Sequence, residues 1–334
     1  MPDDLIPLPV SEIRSLALRA CRACGASAAM AEALVAASLS AHLAGRPEVG
    51  LPHLLDHLDS LLAGRIRGDA MPEISQPAPT MLSVDGGHGI AQLGFDSAFD
   101  RLAERAHQLG MALLVQRNIY PAGELGYYVR RLAQAGLLGI AACNAHPLMA
   151  ANPASGAVFS TNPLAFAAPL PPPGPPLVID QASSATAFVS ILRAEATGSA
   201  IPEGWAVDAE GRPTTDPAAA RRGALLPAGG YKGANIALMV EILAAGLSGG
   251  NWSLDAGHFL ETGSPPGATM TVIAIDAEAA APGFCSRLAD QLARLAALGV
   301  HVPGSGARPD AATVAVAPAV LAALRARADS HRAS

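Results

Sequence analysis

The chain has 334 residues, 51% of them hydrophobic and 15% charged, with a formal net charge of −6. A chain this long and this apolar buries a sizeable core, which excludes a disordered protein. It carries no basic excess, so the electrostatic footprint of a nucleic-acid binder is missing and no such partner is expected.

No apolar run reaches the roughly 18 residues of a membrane span. The opening "MPDDLIPLPV" is acidic, without the basic-then-apolar layout of a signal peptide. The expectation is a cytoplasmic protein with no membrane partner. Four cysteines in such a chain are not a disulfide framework. Cys21 and Cys24 form a CxxC, but inside the helical pattern "SEIRSLALRACRACG", where they read as ordinary helix residues.

Residues 10–66 read as helices, with apolar positions recurring at three and four and Gly closing each pattern. "TMLSVDG" (80–86) reads as a strand, "IAQLGFDSAFDRLAERAHQLG" as a helix and "MALLVQ" as a strand. "RNIYPAGELGYY" (117–128) follows: a strand end, a Pro-Ala-Gly turn and the start of a helix over 124–136. Strands are expected over 137–144, 164–169, 177–180 and 270–276. "PLPPPGPP" (169–176) and "EGWAVDAEGRPTTDP" (203–217) read as loops, the second long enough to be functional. Helices are expected after "GGYKG" (229–233), over 283–300 and over 310–328. The order gives an α/β centre with helical ends, and soft boundaries near 75 and 280 divide it into 1–75, 76–280 and 281–334.

"DGGHGIAQLG" (85–94) has glycines before a helix at the wrong spacing for a dinucleotide-binding fingerprint. "GGYKG" places backbone N–H groups and Lys232 at a helix start, which suits a phosphate or carboxylate; a turn with a solvent-facing Lys is the plainer reading. Asp180, at a strand end, suits orientation of a His or a ribose, or capping of the next helix. His53 and His57 lie one turn apart on one helix face. They have the reach of two metal ligands, but no HExxH and no third ligand accompany them, so no metal is expected. Imidazoles also suit proton transfer at neutral pH, and two polar-face histidines are the bland alternative.

Taken together, "TNPLAFAAP" (161–169), "IDQASS" (179–184), "IPEGWAVDAEGRPTTDP" (201–217) and "LLPAGGYKGANIALMVEIL" (225–243) resemble the type-2 malate/L-lactate dehydrogenase family over roughly residues 10–306. "RNIYPAGELGYY" most resembles its sulfolactate-dehydrogenase-like branch. Ureidoglycolate dehydrogenase, diketogulonate reductase and the piperideine/pyrroline-2-carboxylate reductases belong to the same group. The resemblance implies an α/β fold with a non-Rossmann NAD(P)-binding central sheet domain and helical N- and C-terminal segments, working as a homodimer. It implies NADP or NAD held by Asp180, Gln181, Ala182, Ser183 and Ser184, by Tyr231 and Lys232, and by the turn Val302-Pro303-Gly304. Thr161 and Asn162, with Asn118 and Tyr120, fall on the substrate side.

The family's usual Ser-His-Gly is Glu48-Val49-Gly50 here. His53 stands in its Arg position, His57 in its Tyr position and Pro121 in the place of its second His. Glu48, His53 and His57 are therefore the expected proton-handling residues. The implied activity is NAD(P)H-dependent reduction of a small anionic 2-oxo acid, or oxidation of the hydroxy acid. A cyclic 2-imino acid, which can arrive already protonated, is the alternative substrate. A cofactor-binding relative without redox chemistry is the alternative from another class.

Overall fold

A computed structural model describes residues 5–259, 265–304, 306–308 and 311–329. The first four residues of the acidic opening and residue 310 of the last expected helix lie outside them.

The chain starts with strand β1 (Ile6–Pro9) and three helices, α1 (Val10–Ala23), α2 (Ala28–Leu43) and α3 (Leu51–Leu62). Ser27 caps α2, its hydroxyl accepting the Met30 N–H at 3.2 Å. Strands β2 (Glu73–Ala78) and β3 (Met81–Ile90) lead into α4 (Ala91–Leu109), then β4 (Met111–Tyr120), α5 (Gly126–Gln134) and β5 (Leu138–Asn144). Short strands β6 (Met149–Ala150) and β7 (Ala157–Phe159) precede β8 (Leu164–Ala168) and β9 (Leu177–Gln181).

Next come α6 (Phe188–Thr197), β10 (Ala206–Val207), β11 (Pro213–Thr214), α7 (Pro217–Arg222) and β12 (Ala224–Leu225). Helix α8 (Tyr231–Glu241) widens into a π turn over Ile242–Gly246. β13 (Ala268–Ile275), α9 (Ala277–Ala280), α10 (Phe284–Ala297), β14 (Thr313–Val316) and α11 (Pro318–Asp329) complete the chain.

The main sheet runs β2-β3-β4-β13-β5-β8-β9, and only β3 and β4 pair in parallel. This mixed order is not a doubly wound Rossmann sheet. The glycines of "DGGHG" lie inside β3, at an irregularity between Asp85 and Gly89, not in a strand-to-helix turn. They bulge the strand. A smaller sheet, β11-β10-β12-β6-β7, forms beside the cleft, so the expected loop over 203–217 contains two of its strands.

The end of the chain differs from the expectation of one helix over 310–328. Thr313–Val316 alternates exposed and buried residues and pairs antiparallel with β1, Ile6 against Val316. Period-two burial with a partner strand outweighs helical propensity there. The pairing ties both chain ends into one core, where Ile13, Leu34, Leu54 and Leu58 meet Leu321 and Leu324. A second core packs α4 and α5 on the main sheet. Among the described residues, no helix is long and apolar enough to cross a membrane. All four cysteines are free, and burial pushes the Cys21 thiol up to about 12 and the Cys24 thiol up as well, which disfavours the thiolate in the CxxC.

Candidate active site

Two adjoining cavities, about 220 and 320 Å³, share Arg46, Glu124, Asp180 and Gln181 as common walls. The inner one is lined by His53, Gly123, His146, Thr161, Ala182 and Phe188, among others. The outer one runs past Val178, Ile179, His301, Pro303 and Gly304. Val49 and Pro121 both face the inner cavity.

Asp180 ends the edge strand β9. Its Oδ2 accepts the Gly126 N–H at 2.9 Å, at the N-terminus of α5, where a carboxylate is favoured. Burial nonetheless pushes its pKa up to about 6, and Glu124 adds to the rise, while Gly126, Arg46 and Arg130 oppose it. Glu124 is itself tied up, accepting from Arg130 at 2.6 Å in a buried pair that also reaches the Ser40 hydroxyl at 2.6 Å.

The opposite wall comes from the turn before α3. Arg46 donates through Nε to Glu48 at 2.9 Å and faces both cavities. Glu48 does not line the inner cavity; it faces a groove of about 670 Å³ on the far side, with His42 and Arg308. His53 pairs through Nδ1 with Asp56 at 2.9 Å. Its Nε2 edge lies beside Gly123, in the turn that follows β4. The carbonyl of Ala122 accepts from Gln92 at 3.0 Å and from the Tyr128 hydroxyl at 2.8 Å, which fixes that turn.

His57 is buried behind His53, edge-on with ring centroids 4.9 Å apart. Its Nδ1–H donates to the His53 carbonyl at 2.9 Å, and burial lowers its pKa to about 4. Tyr120 packs on the His57 ring, centroids 5.1 Å apart, and shares a 2.9 Å hydrogen bond with Ser60. Asn118 turns to the other face, where its amide donates to both oxygens of Asp85.

Thr161 lines the inner cavity, whereas the Asn162 side chain points into the protein. Its amide donates to the Ala237 carbonyl at 2.8 Å and to Glu241 at 2.7 Å. Glu241 also accepts from Asn144 at 3.2 Å and from the Ser253 hydroxyl at 2.7 Å. This buried hub fixes the strand ends that carry the cavity wall.

The stretches expected to hold a cofactor are brought together. Ser183 N–H donates to Thr161 O at 2.8 Å, and Ala228 N–H to Ser183 O at 2.9 Å. Ser184 bridges to Pro227, just before the turn that carries Tyr231 and Lys232. Tyr231 and Lys232 are exposed and line neither cavity. Gly304, at φ +85°, packs so close to β9 that a Cβ would stand 3.0 Å from Pro176 O and Val178 N. Among the described residues, no group of three or more metal-ligating side chains gathers.

Arg46, Glu124 and His146 also line the cleft, though no motif in the sequence marks them. Arg46 precedes Glu48 across a proline in "GRPEVG". His146 follows directly on an apolar strand in "AACNAHP". A titratable residue at a strand end was the available signal in the second case.

A model of the malate/L-lactate dehydrogenase family matches residues 8–311. The chain is 35% identical over 300 residues to the (2R)-3-sulfolactate dehydrogenase (NADP(+)) of Chromohalobacter salexigens, covering 89% of this chain and 90% of that protein. It is 38% identical over 280 residues to the Δ1-pyrroline-2-carboxylate/Δ1-piperideine-2-carboxylate reductase of Pseudomonas aeruginosa, covering 81% of each. The crystal structure of the Δ1-piperideine-2-carboxylate reductase of Pseudomonas syringae superposes with a TM-score of 0.89 at 30% identity, over 96% of this chain and 99% of that one. The mixed sheet, the cleft against its edge strand and these matches agree: the chain belongs to the malate/L-lactate dehydrogenase family.

Proposed function

We propose that this chain is an NADP- or NAD-dependent reductase of a small anionic 2-oxo acid, working in the cytoplasm as a homodimer. The observation that carries the reading is the two-part cleft meeting at Arg46 and Asp180. The residues present fit a dinucleotide. β9 and the turn at Pro303 and Gly304 wall the outer cavity, Gly304 packing closely on the backbone at Pro176 and Val178, and Arg46 offers a cation for a phosphate or carboxylate. Asp180, Gln181, Ala182, Ser183 and Ser184 would hold the cofactor, with Tyr231 and Lys232 at the linked turn. The cofactor supplies the hydride.

The protein's own residues position the acid and handle the proton. Arg46 grips the substrate carboxylate. Asp56 orients the His53 ring, leaving Nε2 beside the inner cavity to deliver a proton to the reduced oxygen. Asp180, its pKa raised to about 6, is a mostly ionised carboxylate near neutrality at the junction of the cavities. Thr161 contacts substrate directly. Asn162, Asn118, Tyr120, His57 and Glu48 act through neighbours, by holding the wall, the sheet, the His53 ring and Arg46.

The domain division follows the same reading: a helical segment to residue 75 bearing the proton-handling wall, a cofactor-binding centre to 280, and a C-terminal segment packed on the first. The exposed apolar face of α8, with Ile236, Leu238 and Met239, supports the homodimer. The unpaired thiols support a reducing compartment.

A cyclic 2-imino acid is the second reading, supported by Val49 and Pro121 facing the cavity in place of imidazoles: a pre-protonated imine asks less of the protein. The test is absorbance at 340 nm with both cofactors, across 2-oxo acids and cyclic 2-imino acids. Turnover of 2-oxo acids supports the first reading, and turnover of imines alone the second. Cofactor binding without any turnover would point to a relative that has left redox chemistry.

A further inference from the structure

Asn144 ends β5 with its side chain anchored to Glu241 and Thr269, and Leu148 N–H donates to Phe159 O at 2.7 Å. His146 is held between these two anchors. Its ring is 2% exposed and lines the inner cavity. It packs 4.1 Å from the His258 ring and 4.7 Å from Phe259, centroid to centroid. Neither ring nitrogen has a hydrogen-bond partner among the described residues. Leaving a buried donor and a buried acceptor unmet is costly, because neither recovers the hydrogen bonds it made to water. A side chain present only to fill space would be an aromatic hydrocarbon, like its neighbours Phe188 and Phe259. The ring that carries these two buried, unmet nitrogens forms part of the inner cavity's wall.

The structure assigns His146, we infer, as a substrate-contacting residue that selects acids with a hydrogen-bonding group at the end remote from the 2-oxo carboxylate. A terminal carboxylate, sulfonate or hydroxyl fits; an all-hydrocarbon ring does not. The inference rests on the reading of the cleft as a reductase site. Burial, with His258 adding to it, holds the imidazole down to about 3, so it is neutral at working pH. It then offers one N–H and one lone pair, and recognises by hydrogen bonding, not by charge. Arg46 on the facing wall supplies the cation for the other end. Around His146 the wall is Leu148, Phe188 and Phe259, so an apolar tail would leave both nitrogens unmet.

The test compares kcat/KM for two polar-ended probes, oxaloacetate and sulfopyruvate, with that for 2-oxobutanoate and Δ1-pyrroline-2-carboxylate. The proteins are wild type, His146→Phe and His146→Gln, with NADPH and NADH affinity by fluorescence as the folding control. The expected result is a wild-type preference for the polar probes that falls about 10-fold or more in His146→Phe and partly returns in His146→Gln. A preference ratio that does not move, or a wild type that prefers the hydrocarbon ring, overturns the inference while leaving the reductase reading intact. Should the wild type reduce none of the probes, the reductase reading fails. Calorimetric binding of oxaloacetate against 2-oxobutanoate to the same three proteins then decides on His146 alone. Preferential binding that His146→Phe abolishes supports it, and equal binding overturns it.

Discussion

The two walls of the cleft are built by different means. The cofactor-side wall, residues 180–184 with the turn at 226–232, is held by main-chain hydrogen bonds to Thr161, Leu226 and Ser183. The facing wall, residues 46–57, presents its chemistry through side-chain pairs near solvent: Arg46 with Glu48, His53 with Asp56. A backbone-built wall constrains residue type only where a glycine or a small side chain is needed. A side-chain-built wall changes chemistry with one substitution. That difference leaves the chemistry of the second wall, where Val49 also faces the inner cavity, open to single substitutions.

The comparison breaks most visibly at the hub beneath the first wall. Glu241→Leu leaves the amides of Asn144 and Asn162 and the Ser253 N–H and hydroxyl without their acceptor. The expected loss is roughly 3 kcal/mol or more in urea unfolding. A loss under about 1 kcal/mol, ordinary for a surface change, would mean that the hub does not hold the wall.

On the second wall the effect should fall on catalysis. His53→Ala is expected to lower kcat by about 10²-fold or more, with cofactor affinity kept. His57→Ala, lying behind it, should cost stability more than rate. Equal rate losses in both variants would place the proton elsewhere, with Asp180 the next group to test.

Much of the fold was legible because periodicity survives in long elements: α1 to α5 and strands β4, β5, β8, β9 and β13 stand close to where the pattern put them. β1 and β14 were not legible, since their pairing joins residues over 300 positions apart in sequence and each is only four residues long, β1 half proline and β14 set in an alanine-rich, helix-like stretch. The site divides in the same way. Asp180 and the Val302–Gly304 turn come from motif order. Arg46 and His146 reach the cavity only through a tight turn and a strand end, whose direction depends on tertiary anchors such as Asn144 to Glu241. Of the i,i+4 histidine pair, spacing alone could not tell which ring faces the cavity and which lies buried behind it.

Arg46 sharpens the contrast on a smaller scale. It donates to Glu48 through Nε and, at 3.5 Å, to the Asp180 carbonyl through Nη1, which leaves Nη2 for an anion. Arg46→Leu is expected to raise KM for the acid about 10-fold or more, the worth of a hydrogen bond to a charged group. Its effect on kcat should be smaller. Steady-state kinetics with saturating cofactor separates the two, and an unchanged KM would remove Arg46 from carboxylate binding.

The smallest effect joins the two walls through Asp180. Its pKa is raised from 3.8 to about 6, chiefly by burial. The folded state therefore binds more protons than the unfolded one between those values, and stability falls as pH rises through that window. His57 has the opposite sign: lowered from 6.5 to about 4, it makes the unfolded state the better proton binder, so stability rises with pH across that range. The two opposing slopes partly cancel in wild type near pH 5. Asp180→Asn removes one of them. Its Oδ can still accept the Gly126 N–H, so the local geometry has no reason to change. The variant should be more stable than wild type by about 1–2 kcal/mol at pH 8, a figure reduced for the solvent reaching the carboxylate. The gain should shrink to nothing as pH approaches 4. Thermal melts across that range read it directly, and a variant less stable at pH 8 would show that the carboxylate is held by its partners more strongly than burial opposes it. A charge kept where its removal stabilises the fold is one the site uses, and the same variant should lose turnover as it gains stability.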